Sequence, residues 1–512
     1  MLSDRNYAEL LALDPRTHSD LEKVGYIGDL FDYSYENNDT KGTEKGLSLS
    51  ETVKIKELPP IEQAKLHYYL ANGWSQMRYF NRFEQSDSWD YDQVELTGEI
   101  FHLRSCLRNG AFDELQKELR CQAYTNMGNH FSHVGRFVEA QQMWRNALEI
   151  IPHFGMALGN MGQGYFYYGR ALYDNGHHNI FIFQTYQYLI RAIQLKKQLH
   201  PGAYDAWKKL SDQIAERYPA TYLTHDHDFN RFDLGKDPKL RSYRRWCLDQ
   251  YLYINPLNDI GPVTTACHDI LHLPSMTVAA GDPPKYHTLF NQIKQEYATA
   301  RFLFYEGTQP HKPHFSDMDV NLVDTLEYAE YSFHMEKVKI TYRLIYSLFD
   351  KIAYLLNDYL QIGLNRKKIS FRSLWHEDVK GKKTLRQRFQ NNTNIALRGL
   401  YWLSKDLYNA EDEEAHSIVL EPDAQELAEI RNHIEHKSFK VVQYGNWGGD
   451  DPDGYTYAID RGKFELKTLK LISLMRSAII YTSLAIHHEE KQNPKGPALP
   501  MPFPEYLFTD KV

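Results

Sequence analysis

Apolar positions recur at helical spacing through most of the chain. The most regular run is Val338, Tyr342, Ile345, Phe349, Ile352 and Leu356, alternating by four and three. That spacing predicts a continuous seam for packing another helix or another subunit. Ser316 and Asp319 have the spacing of a capping box, so the pattern predicts one long helix from there to Leu360, ended at Gly363. Helical patterning also covers Tyr286 to Phe304, Asn394 to Leu407, Glu421 to Lys437 and a final stretch to about Glu489. The most hydrophobic segment, Leu466 to Ile486, is interrupted by Lys467, Lys470 and Arg476, which predicts a core helix and not a membrane span. The expected fold class is all-α, with only a small β-hairpin or turn insert near Gly445 to Gly454.

The N-terminal half carries a repeat. Tyr124, Met127-Gly128, Phe131 and Gly135 recur as Leu158, Met161-Gly162, Tyr165 and Gly169, and Ala140, Trp144, Ala147 and Pro152 complete the first unit. Small residues let two antiparallel helices approach, large ones fill the groove between them, and Pro152 ends the second helix. This pattern resembles the tetratricopeptide (TPR) repeat, which implies helical hairpins and a groove for a protein or peptide partner. The match fades after Gly169, where Asp174 to His178 is expected to be an inserted turn; helical pattern resumes to about Leu199. Ile61 to Met77 and Glu99 to Leu119 form a candidate further pair. Asn37 to Glu51 is polar and contains glycine, so it is expected to be a loop. The expected organisation is an N-terminal segment (1–60), TPR-like repeats (61–200), a connector (201–285), a helical bundle (286–490) and a Pro-rich tail (491–512).

Composition narrows the function. At 512 residues, 25% charged and 42% hydrophobic, the chain is an ordinary globular protein. Its net charge of -8 excludes a protein built mainly to grip long duplex DNA, so any nucleic-acid contact must be a local patch. Cys106, Cys121, Cys247 and Cys267 lack paired spacing, which points away from a zinc module or disulfide framework and towards a cytoplasmic location. The first residues lack the apolar core of a signal peptide.

The candidate chemistry lies in Arg431-Asn432-His433-Ile434-Glu435-His436. On a helical wheel Leu427, Ile430 and Ile434 share one side, whereas Gln425, Glu429, Asn432 and His436 share the other, with Arg431 at the border. A histidine in that position can take a 2'-hydroxyl proton, and an arginine can neutralise charge growing on a phosphate, with no metal or other cofactor. The plainer reading is a solvated face with an i, i+4 Arg431–Glu435 pair. Arg-Asn-x-x-x-His on a long helix of a C-terminal bundle resembles the signature of the HEPN family, over about residues 286–490. Tyr243 to Pro262 is similar to the region preceding a bacterial HEPN subfamily. The resemblance implies a dimerising helical bundle and a metal-independent endoribonuclease. Arg431 would clamp phosphate, Asn432 would orient it, and His436 would be general base or acid, giving a 2',3'-cyclic phosphate and a 5'-hydroxyl. It also implies a toxin or anti-phage effector, with RNA as substrate. The alternative is a non-catalytic adaptor whose bundle only dimerises or binds nucleotide.

Other candidates are secondary. Asn365 to Phe389 holds Arg366, Lys367, Lys368, Arg372, Lys380, Lys382, Lys383, Arg386 and Arg388, interleaved with Phe371, Trp375 and Phe389. This pattern fits either an RNA backbone-and-base platform or a solvated charged loop. His225-Asp226-His227-Asp228 has metal-ligating residue types without ligand spacing and is expected to be a polar turn. Asp450-Asp451-Pro452-Asp453-Gly454 is expected to be a tight hairpin turn and not a calcium loop.

Overall fold

The computed structural model describes residues 6–14, 17–82, 90–278, 281–310, 312–379, 382–407, 423–443, 448–450, 454–492 and 502. Most of them are helical, and the strands are few and short. The chain opens with α1 (Tyr7–Ala12), α2 (Asp20–Asn37), α3 (Thr40–Ser50), α4 (Pro60–Arg82) and α5 (Val94–Leu107). Two antiparallel hairpins follow: α6 (Lys117–His133) with α7 (Phe137–Ile150), and α8 (Gly155–Ala171) with α9 (Asn175–Ile193). The small residues of the repeat mark the helix contacts. A methyl group on Gly128 would lie 2.5 Å from Trp144 Nε1, and one on Gly162 would touch Leu189.

Two expectations for this half are corrected. Residues 40–50 are a helix, not a loop: Asp39 caps it, and Gly42 and Gly46 are where it crosses α2 closely. Phe31 fills the space between Gly46 and Gly73, so the glycines serve packing, not flexibility. Asp174 does not sit in an inserted turn but caps α9, accepting from the His177 amide.

The connector contains α10 (Pro201–Arg217), α11 (Ala220–Leu223) and α12 (Pro238–Asp249), then an irregular stretch that runs through the interior. Leu252, Ile254, Asn255 and Asn258 are fully buried. Asp259 there meets Arg476 at 2.6 Å, and the same guanidinium donates to the carbonyls of Tyr253 and Asn255. Tyr168 of α8 also donates to Asp259, at 2.9 Å. This stretch therefore joins the two halves, and one hydrophobic cluster extends from Ala64 to Ile486.

The C-terminal region comprises α13 (Lys285–Thr308), α14 (Phe315–Met318), α15 (Phe333–Tyr359), β1 (His376–Val379), β2 (Lys382–Leu385) and α16 (Ile395–Ser404). It continues with α17 (Asp423–His436), β3 (Ser438–Val442), β4 (Gly448–Asp450), β5 (Thr456–Asp460) and α18 (Arg461–Gln492). The long helix starts at Phe333, not near Ser316. Ser332 caps it by accepting from the Met335 amide, and His314 with Asp317 caps the short α14 instead. Residues 319–332 between them form an extended strap.

The seam of α15, Val338 to Leu356, is buried within the chain's own bundle, mainly against α13 and α18, so it is not a subunit surface. Helix α18 is long and apolar enough by composition to cross a membrane, and its residues Ala478 to Ile486 are buried among neighbouring helices as core. β1 and β2 form an antiparallel hairpin in the basic segment. The insert after α17 has strand order β3-β5-β4, with β3 parallel and β4 antiparallel to β5. Of the expected Pro-rich tail, Lys491 and Gln492 instead end α18 and Pro502 is described; its other residues, with 444–447 of the expected insert and 451–453 of the acidic turn, lie outside the described residues.

Candidate functional site

Helix α17 is fixed by its apolar stripe. Leu427 and Ile430 are fully buried, and Tyr342 of α15 donates its hydroxyl to the Leu427 carbonyl at 2.7 Å. His433 is also buried, with Nδ1 2.9 Å from the Glu429 carbonyl and its ring against Tyr457. With that side anchored, the helical period turns Asn432 and His436 outward, and both are exposed. The His436 side chain is 69% exposed.

Arg431 lies at the border, as the wheel predicts. Its Nη1 donates to Asn432 Oδ1 at 3.2 Å, and its guanidinium lies over the Tyr346 ring, 5.8 Å from the centroid. Glu435 links the motif: one oxygen, Oε2, is 3.0 Å from Arg431 Nε and 3.5 Å from His436 Nε2. The i, i+4 pair of the plainer reading is thus present, and it draws Arg431, Asn432 and His436 into one cluster. Arg431 carries the charge a phosphate needs, and His436 is accessible to a ribose hydroxyl.

Tyr346 and Asp350 of α15 complete the surroundings and were not legible as site residues. Burial raises the Asp350 carboxyl above its usual range, opposed by the Phe371 amide and Arg431 and reinforced by Glu435. The signal available in the sequence was only their i, i+4 spacing beside the α15 seam.

Asp350 also ties in the basic segment, because the Phe371 amide donates to its Oδ1 at 2.9 Å. Arg366, Lys367, Lys368, Lys383 and Arg388 are exposed, while Arg372 and Arg386 are half-buried. Arg386 is bound to the Ser373 and Leu374 carbonyls, and Arg388 pairs with Glu489 at 2.7 Å. Lys380 and the side chain of Lys382 lie outside the described residues. The interleaved rings are not a stacking platform: Phe371, Trp375 and Phe389 are at most 1% exposed and pack on one another.

At His225 to Asp228, His227 Nε2 lies 3.1 Å from the Tyr222 carbonyl, and its ring packs on Phe183. Among the described residues no three histidine, cysteine or acidic side chains are grouped to hold a metal.

No curated protein and no solved structure matches the chain. Residues 277–489 match the family model described as LA2681-like HEPN, which supports a HEPN assignment for the C-terminal region that carries the cluster.

Proposed function

We propose that this chain is a metal-independent endoribonuclease of HEPN type. The HEPN match supports a nuclease or RNA-related role. The observation that carries the finer reading is His436, held exposed beside Arg431 and Asn432 by a helix whose opposite side is locked in the core. In the proposed reaction His436 removes the proton of a ribose 2'-hydroxyl. The freed oxygen attacks the adjacent phosphorus, and the 5'-oxygen leaves and takes up a proton. Arg431 neutralises the non-bridging oxygens, and Asn432 orients them. The products are a 2',3'-cyclic phosphate and a 5'-hydroxyl. Arg372 lies next to Phe371, which bonds to Asp350, so the basic segment flanks the cluster and offers phosphate contacts on that side.

Two copies are proposed to share one cleft. The TPR-like half would sense a trigger or dock a protein partner, as in a cytoplasmic toxin or anti-phage effector. One observation favours an adaptor instead: Glu435 already neutralises Arg431.

The test expresses the wild type and His436→Ala, follows growth and total RNA, and incubates the purified proteins with transfer RNA in EDTA. Cleavage by the wild type alone, leaving cyclic-phosphate ends, is expected. Intact RNA with both soluble proteins would favour the adaptor.

A further inference from the structure

The repeat half and the C-terminal bundle enclose a cavity of about 640 Å³, within the size range of small-ligand sites. Its place follows from how α7 meets α18. The Phe137 and Tyr481 rings pack edge to face at 5.6 Å, and the Val138 amide donates to the Tyr481 hydroxyl. Beyond that contact the cavity lies between the two helices, lined by residues 138–149 of α7 and 466–477 of α18. Ser473 and Ser477 leave room there, and each hydroxyl bonds to a carbonyl of its own helix.

The walls are apolar and adaptable. Met143 and Leu469 are half-buried, and Leu466 is 69% exposed. Leucine and methionine side chains of this kind repack around a flexible apolar chain.

The floor is charged, and its buried charges are matched. Arg104 and Arg136 share Asp406, Arg136 also meets Glu139, and Arg476 meets Asp259. Three arginines thus face three carboxylates. Arg145 of α7 is the exception. This half-buried side chain donates through Nη2 to the Asp259 carbonyl at 2.7 Å and lies 4.3 Å from the centroid of the Tyr251 ring. No carboxylate of the described residues pairs with it. Glu149 and Asp249 also line the cavity, but both are exposed, and Asp249 faces Arg245 at 4.0 Å.

A guanidinium has five N–H donors. Arg145 is oriented by one carbonyl and one ring, so it keeps donors for an oxyanion. An inorganic anion would satisfy it and leave the apolar walls wet. A neutral apolar molecule would cover the walls and bury Arg145 without a counter-charge. Only a ligand with both parts satisfies both surfaces.

We propose that this cavity binds an amphipathic oxyanion, a single carboxylate or phosphate on an unbranched apolar chain. The anionic group sits on Arg145, and the chain lies against Met143, Leu466 and Leu469. The site stands apart from the Arg431 cluster, and its occupancy is measured without RNA.

The experiment is isothermal titration calorimetry of the full chain with octanoate and with monooctyl phosphate, below their aggregation concentrations. Octanol and inorganic phosphate supply the two halves of the ligand separately. At least one anion binds saturably, one per chain, and the tighter of the two identifies the headgroup. Octanol and inorganic phosphate each bind about tenfold or more weakly. Arg145→Gln loses about tenfold for the anion and keeps octanol within about threefold. Leu466→Asn, at an exposed position, weakens anion and octanol alike by about threefold or more. Circular dichroism checks the fold of each variant. No saturable binding of either anion would overturn the proposal, as would octanol or inorganic phosphate binding as tightly as the anion. Wild-type affinity in a folded Arg145→Gln would also do so. If that variant does not fold, unchanged anion binding in Leu466→Asn is the overturning result.

Discussion

Two arginine–carboxylate assemblies in this molecule use the same chemistry in opposite surroundings. Arg476 and Asp259 are 1% and 3% exposed at their side chains and are enclosed by Tyr168 and backbone carbonyls. Arg431 and Glu435 lie 37% and 25% exposed, at a similar separation. In the interior each charge depends on its partner, because water cannot replace it. At the surface the pair contributes little to stability, and either member is free to exchange it for another ion. Burial, not residue type, decides which arginine is a strut and which can act on a ligand.

The sharpest way to break that contrast is to remove one interior member. Asp259→Ala leaves Arg476 buried and unpaired and is expected to cost ~3–5 kcal/mol of folding stability. Denaturant unfolding followed by circular dichroism measures it. A loss below ~1 kcal/mol would mean that water reaches the pair, and the strut description would be wrong. The converse experiment is at the surface. His436→Ala is expected to leave stability within ~0.5 kcal/mol of wild type. If the nuclease proposal holds, cleavage falls by on the order of 10²–10⁴-fold. A large loss of stability would instead make His436 structural.

The two assemblies also differed in how far the sequence revealed them. Asn432 and His436 stood out because a helical wheel separates them from Leu427 and Ile430, with Arg431 at the border, and a surface helix obeys that period. Asp259 and Arg476 carry no such signal. They lie 217 residues apart, and only tertiary packing brings Asn255 to Asp259 into the interior. The expectations that failed share this cause. Gly42 and Gly46 are local loop signals in the sequence, but Tyr7 and the Leu30 carbonyl close on the first and Phe31 on the second. Ser316 and Asp319 had capping-box spacing, but the start of α15 is set by Ser332, after a strap tied to β3 through Ala329 and Val442. Phe371, Trp375 and Phe389 alternate with cations as a base-stacking surface would, yet all three face inward.

Acid extends the comparison to a third carboxylate. Glu99 is fully buried, and although burial opposes ionisation, His130 and Arg78 hold its carboxyl down to about 2. A depressed folded-state value contributes stability above the unfolded value, and that contribution is lost as pH falls through the folded one. Stability is therefore expected to decline between about pH 4.5 and 2, with Glu99 accounting for on the order of 3 kcal/mol. In Glu99→Gln the decline over that window should be shallower, as urea unfolding at successive pH values would reveal. An identical slope in both proteins would place the acid sensitivity elsewhere.

The smallest expected effect is at the surface pair itself. Glu435→Gln keeps the side chain's shape and removes its charge, so the change in stability should stay within ~0.5 kcal/mol. Its consequence belongs to binding. Without the carboxylate, Arg431 no longer exchanges an ion pair for a phosphate, and a non-cleavable 2'-deoxy oligonucleotide should bind more tightly by a few-fold at low salt. Fluorescence anisotropy at two ionic strengths reads both quantities. The gain should shrink as salt rises, because exposed charges are screened. Weaker binding in Glu435→Gln would show that Glu435 holds Arg431 in place for the phosphate instead of competing with it, and the surface pair would then behave as a strut after all.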